Sequence, residues 1–188
     1  MPQKYTEWFE ASSNSRNIVN MSDTRWLNQK ERELWLKLTA LSMLMPGAVE
    51  AQLKREAGLN QFEYHVLAML SEAPGRSLLM SNLAFRTNSS LSRLSHVVSR
   101  LEKQGWVTRS VCPTDGRATN AFLTDSGFEK IRVTAPGHVE QVRRIVFDPL
   151  TSKQAEQLSG LLDPLLESID PEGRSEYHRG KNSDAQDK

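Results

Sequence analysis

The sequence is poor in the residues from which reactive or cross-linked sites are built. Its 188 residues contain one cysteine, Cys112, which excludes an internal disulfide framework. Four histidines, His65, His96, His138 and His178, are scattered without ligand spacing, so no metal site is expected. There is no nucleophile motif, phosphate loop or defensible pair of carboxylates, and neither catalysis nor a cofactor is expected. No stretch approaches the roughly 20 apolar residues of a membrane span, and none has the basic-then-apolar order of a signal peptide. A cytoplasmic protein with no membrane partner is the expectation.

Net charge is also scarce, at +1, but its distribution is uneven. Residues 76–132 hold nine Lys and Arg against four acids, whereas residues 1–75 hold eight against nine and residues 133–188 seven against ten. A basic middle between acidic flanks is the pattern expected of a polyanion-binding core with non-binding arms. Hydrophobic residues make up 38% of the chain, enough for a real core, and the chain is expected to fold as one unit.

Residues 1–24 are polar with scattered apolar residues and read as an arm, with a short helix as an option. "NQKE" opens a capping box at Asn28, and Leu34, Trp35, Leu38, Leu41 and Met45 follow at helical spacing to about Glu56, where Gly58 stops them. Pro46 is expected to kink or split this helix. "NQFE" at 60–63 repeats the cap, and "PG" at 74–75 ends the second helix. A short helix over Leu79 to Arg86, the turn-forming "TNSS", and a helix over Ser89 to Gln104 come next, the last with Leu91, Leu94, Val97, Val98 and Leu101 in one stripe. "WVTRSV" and "AFL" read as two strands, with Pro113, Asp115 and Gly116 supplying the turn between them. Thr124 caps another helix that "APG" at 135–137 strains. "TSKQ" at 151–154 caps a last one, which carries Leu158, Leu161, Leu162, Leu165 and Leu166 and which Pro164 ends or bends. From about Ser168 the chain is polar, and residues 169–188 are expected to be a disordered tail.

A short helix, a turn and a helix whose outer face carries Ser89, Ser92, His96, Ser99 and Lys103, flanked by Arg93 and Arg100, fit a helix-turn-helix whose second helix enters a major groove. Asn88, Ser89, Ser90, Ser92, Arg93 and His96 are the candidate DNA contacts, with hydroxyls and the helix N-terminus suited to phosphates and Arg93 to guanine. The hairpin presents Arg117 as a wing tip to the backbone or minor groove, supported by Asp115 and Gly116. Each has a plainer reading. The alternative for Arg117 is an exposed turn arginine, for Arg93 a structural salt bridge with Glu102 or a neighbour, for Ser89 an N-cap alone and for His96 a solvated side chain.

The run "LSRLSHVVSRLEKQGWVTRSVCPTDGRATNAFLTDSG", residues 91–127, resembles the multiple antibiotic resistance regulator (MarR) family of bacterial winged-helix regulators. The matching elements are Arg100-Leu101-Glu102, Gly105, Asp115 to Arg117, and Leu123-Thr124 with Gly127. The resemblance extends more loosely over residues 28–168. It implies a mainly α (α+β) fold: a winged helix-turn-helix core over 58–124, and a dimerisation domain built from the N- and C-terminal helices over 28–56 and 125–167. It further implies a homodimer on a palindromic operator, acting as a repressor in most relatives and often released by a small effector. The amphipathic end helices point to dimerisation independently, because their apolar stripes exceed what one small winged domain covers.

For an aromatic or phenolic effector, Trp26, Trp35, Tyr64 and His65 are the candidate pocket residues, and filling a dimer core is their alternative role. Two other functions remain open from the sequence. One is thiol-based redox sensing through Cys112, which needs a stabilised thiolate. The other is a winged-helix protein-interaction module without DNA binding, which predicts an acidic or apolar recognition face rather than the basic one present.

Overall fold

In a computed structural model, residues 24–112, 115–171 and 173 are described. The arm expected over 1–24 and the tail expected over 169–188 lie almost wholly outside them. The chain divides into two compact units, residues 1–41 and 42–188, where one unit was expected from composition.

Asn28 opens the first helix as read. Its side chain accepts from the Glu31 amide at 3.0 Å while the Glu31 carboxylate accepts from the Asn28 amide at 2.8 Å, so each satisfies an amide the helix leaves orphaned. Helix α1 (Gln29–Ala57) runs through Pro46 without a break and stops at Gly58, whose φ of 66° suits a residue with no Cβ. In the first unit Trp26, Leu34, Trp35 and Leu41 are all exposed. Val49, Gln52 and Leu53, in the second unit, are the buried residues of α1.

Asn60 and Glu63 form a second complete capping box at the start of α2 (Gln61–Glu72). A 3-10 turn at Pro74–Arg76 leads to β1 (Ser77–Leu79), α3 (Met80–Arg86), α4 (Leu91–Lys103), β2 (Val107–Cys112) and β3 (Asp115–Leu123). Strand β1 is an element that sequence periodicity does not reveal. It pairs antiparallel with β3, Ser77 opposite Phe122 and Leu79 opposite Asn120, and gives a three-stranded sheet in the order β1-β3-β2. The core gathers Val66, Leu67 and Leu70 of α2, Leu83 of α3, Leu94, Val98 and Leu101 of α4, and Val107 and Ala121 of the sheet. Leu91, expected in the apolar stripe of α4, is instead 54% exposed: it is the first residue of the helix and lies beyond the core's edge.

Thr124 caps α5 (Asp125–Val142), which continues unbroken past Pro136 into a π-helical turn at Arg143–Phe147. The α4-to-α5 joint is tight. Gly105 ends α4 at a φ of 73°, its carbonyl accepts from the hydroxyls of Thr124 and Ser126 at 2.7 and 2.8 Å, and Gly127 packs so closely on Trp106 that a Cβ would overlap its carbonyl. Thr151 and Gln154 form the third capping box, opening α6 (Ser152–Ile169), which contains Pro164 without ending there. Each internal proline thus removes one backbone donor but leaves its helix unbroken, so of the kink or split expected at 46 and the end or bend expected at 164, neither the split nor the end occurs. Helix α6 buries none of its residues: Leu158, Leu161, Leu165 and Ile169 are all exposed.

Candidate nucleic-acid interface

The turn between α3 and α4 is built by side chains competing for backbone groups. Thr87, buried, donates its hydroxyl to the Leu83 carbonyl at 2.8 Å and lies 3.0 Å from the Ser89 hydroxyl. Asn88 takes a left-handed φ of 45°, which asparagine tolerates better than most residues. Ser90, not Ser89, is the N-cap: its hydroxyl accepts from the Arg93 amide at 3.2 Å. The free amides of the first turn of α4 are thereby held at the surface with Asn88, Ser90 and Ser92 exposed beside them.

Along α4 the two faces separate cleanly. Leu94, Val97, Val98 and Leu101 are buried, and Ser92, Arg93, His96 and Arg100 are exposed. Among the described residues Arg93 has no carboxylate partner; its guanidinium lies over the Phe62 ring at 4.4 Å. The anticipated alternative partner, Glu102, is occupied by Arg109 instead, at 2.5 Å. Arg100 is tied to Glu63 of the α2 capping box at 3.0 Å. Ser99, read as part of the outer face, is half-buried and accepts from Arg109 at 3.1 Å.

The hairpin differs from its expected outline. Strand β2 reaches Cys112 and β3 begins at Asp115, with those two residues as register partners, so the turn is confined to positions 113 and 114, which lie outside the described residues. Asp115 and Gly116 belong to β3 rather than to the turn. Below them Val111 faces Thr119, so residues 116–118 have no partner across the ladder and form a bulge on the returning strand. Arg117 sits at the middle of that bulge. Bulges re-aim the strand that carries them and increase its local twist. The side chains of Cys112, Asp115 and Arg117 lie outside the described residues.

Of the four candidate effector residues, the structure brings two together. Tyr64 and His65 line a cleft of about 1050 Å³ in the second unit, along with Glu50, Lys54, Phe62, Arg93, His96 and His138. Trp26 and Trp35 belong to the first unit and are 67% and 60% exposed. His138 was not singled out by sequence. It lies against Tyr64 with ring centroids 4.3 Å apart and the rings tilted by 44°, its buried Nδ1 has no partner among the described residues, and burial pushes its pKa below the ordinary 6.5. Burial, reinforced by Glu72, raises that of Tyr64.

Comparison with known proteins settles the lineage. Residues 57–118 match the model of the MarR family. The chain is 31% identical over 143 residues to the uncharacterised HTH-type transcriptional regulator YfiV of Bacillus subtilis, covering 72% of this chain and 87% of that protein. The chain belongs to the MarR family. Among solved structures, the MarR family regulator Sco3205 of Streptomyces coelicolor in complex with DNA is 42% identical with a TM-score of 0.73, covering 77% of this chain and 94% of that one. AbsC, a MarR family regulator from the same organism, is 36% identical with a TM-score of 0.75, covering 79% and 99%. This MarR protein is a transcriptional regulator and not an enzyme, and the winged helix-turn-helix reading of its core holds. Among its described residues no helix is long and apolar enough to cross a membrane, and no cluster of metal-ligating side chains occurs.

Proposed function

We propose that this MarR protein binds DNA as a homodimer on a palindromic operator, represses transcription there, and is released by a small aromatic or phenolic effector. The observation that carries the DNA reading is the outer face of α4: Ser92, Arg93 and His96 exposed on one side, with Leu94, Val97 and Val98 fixing that side outward from below. Major-groove readout by the N-terminal half of a helix needs short polar and basic side chains of this kind on a helix that cannot rotate away. Asn88, Ser89 and Ser90 hold phosphates at the helix N-terminus. Arg117, whose backbone lies in the bulge of β3 after Asp115 and with Gly116, follows the flanking DNA backbone or minor groove. Its relative Sco3205, solved in complex with DNA, supports this reading.

Dimerisation is supported by the exposed stripe Leu158, Leu161, Leu165 and Ile169 on α6 and by Leu34, Trp35 and Leu41 on α1, each an apolar surface that water disfavours. The cleft beside Tyr64 and His65 supports an effector site, because Arg93 and His96 line it and also lie on the DNA-facing helix. A ligand there releases DNA to the extent that it binds the DNA-incompetent arrangement more tightly.

The test is fluorescence anisotropy on the DNA upstream of the protein's own gene against shuffled DNA, across a salt series. A specific binder prefers the native DNA, with log affinity falling linearly in log salt. Arg117→Ala is expected to weaken both DNAs and reduce the salt slope by about one, whereas Arg93→Ala also relaxes base preference, by about 1–3 kcal/mol. Affinity unchanged in both variants removes these assignments.

A further inference from the structure

Helix α4 is docked by Leu94, Val97, Val98 and Leu101. That close-packed face seats the helix on the core and turns Ser92, Arg93 and His96 outward. Along its first half, however, the helix stands apart from the hairpin. A cleft of about 350 Å³ opens between the first half of α4, at Leu91 and Ser95, and the hairpin, at Arg109, Ala118 and Thr119. Among the described residues, Arg109 is the side chain that hydrogen-bonds from hairpin to helix beside that gap. From β2, Arg109 Nε donates to Glu102 Oε2 at 2.9 Å and one terminal nitrogen donates to the same oxygen at 2.5 Å and to Ser99 Oγ at 3.1 Å; the other terminal nitrogen donates to Ser95 Oγ at 3.4 Å.

Ser95, Ser99 and Glu102 are spaced by four and three residues, so they lie on one face of α4 across two turns. That face adjoins the exposed one and is partly withdrawn from water: Arg109 and Glu102 side chains are 31% and 27% exposed. A planar guanidinium with fixed donor directions reports both the rotation and the height of the helix it grips, which a lysine on the same strand would not. Glu102 stands in the last turn of α4, where the helix dipole disfavours an anion. Helix stability alone gives no reason for a carboxylate there; a partner on the neighbouring strand does.

We propose that Arg109 is a positioning residue for DNA recognition: gripping Ser95, Ser99 and Glu102, it locks the angular register of the recognition helix to the hairpin so that both reach one stretch of duplex together. The proposal rests on the reading that α4 and the hairpin both contact DNA. It assigns Arg109 no phosphate of its own.

Arg109→Lys and Glu102→Gln, each in the full-length protein, test it by anisotropy on native and shuffled DNA over a salt series, with thermal melting as the control for folding. Both variants are expected to melt close to the parent. Both are expected to lose preference for native DNA by about tenfold, the loss expected when a recognition geometry loosens, with the salt slope unchanged. Glu102→Gln is the sharper of the two, since it removes one negative charge and simple electrostatics would tighten it on every DNA. Native DNA held as tightly or more tightly by Glu102→Gln, with the slope lowered by about one in Arg109→Ala, makes Arg109 a direct phosphate contact and overturns the proposal. A loss of melting temperature with equal losses on both DNAs makes the grip merely structural and overturns it as well. The parent protein separates the two levels: no preference in the parent refutes the DNA reading and the proposal with it, while preference in the parent that survives in both variants refutes the proposal alone.

Discussion

Single residues set the surface that α4 presents, and their roles were unequally legible. The N-cap was found to within one position, because serine followed by an apolar run is a local signal; the geometry then assigns it to Ser90, whose hydroxyl holds the Arg93 amide. Ser90→Ala is expected to cost about 1 kcal/mol in urea unfolding, as loss of a cap does. The Arg109 grip was invisible to periodicity because it joins residues from two elements that sequence alone does not juxtapose. His138 was invisible for the same reason, since only the fold brings it against Tyr64. Its half-buried ring resists protonation, so below the ordinary pKa of 6.5 the unfolded chain binds a proton that the folded one refuses until a lower pH. Stability is therefore fully present above 6.5 and declines as pH falls through that window. His138→Phe, which keeps a ring against Tyr64, is expected to flatten that part of the profile when unfolding is followed between about pH 8 and pH 5. An unaltered slope in the variant would assign the acid sensitivity elsewhere.

At the scale of elements, helices were legible because each is announced locally, by three capping boxes and a 3.6-residue stripe. Strand β1 was not, because three residues carry no period and Ser77 becomes strand only through Phe122, far along the chain. The hairpin's outline was legible but its tip was not: turn-forming residues locate a reversal, whereas register decides that Asp115 and Gly116 lie within the strand. The prolines at 46 and 164 neither split nor end their helices, since a lost donor is a local penalty and the surrounding helix is held by everything else it touches. The joint between α4 and α5 depends on Gly127, where a Cβ would meet the Trp106 carbonyl and the Leu123 side chain. Gly127→Ala is expected to destabilise by about 3 kcal/mol, the upper range for overpacking, because a backbone carbonyl gives way less easily than a side chain. A thermal midpoint equal to that of the parent would show that the joint relaxes freely.

For the whole molecule, the large buried side chains gather in the second unit, while α6 and the first unit leave large apolar side chains exposed. Leu53, Leu67, Leu83, Leu94 and Leu101 are all sealed within the second unit. Both end helices read as amphipathic from sequence, and the burial pattern adds that, among the described residues, none of α6 is buried. The double variant Leu161→Glu, Leu165→Glu is expected to run as a monomer in sedimentation or light scattering and to lose tight operator binding; a dimer that survives would place the interface elsewhere. The uncovered stripe also changes what stability means for this protein. If its leucines are shielded only by a second copy, folding and association share one equilibrium, and the law of mass action enters the melting curve. The thermal midpoint then climbs with protein concentration, and the scarcity normal for a regulator in the cell becomes a determinant of how long each copy stays folded.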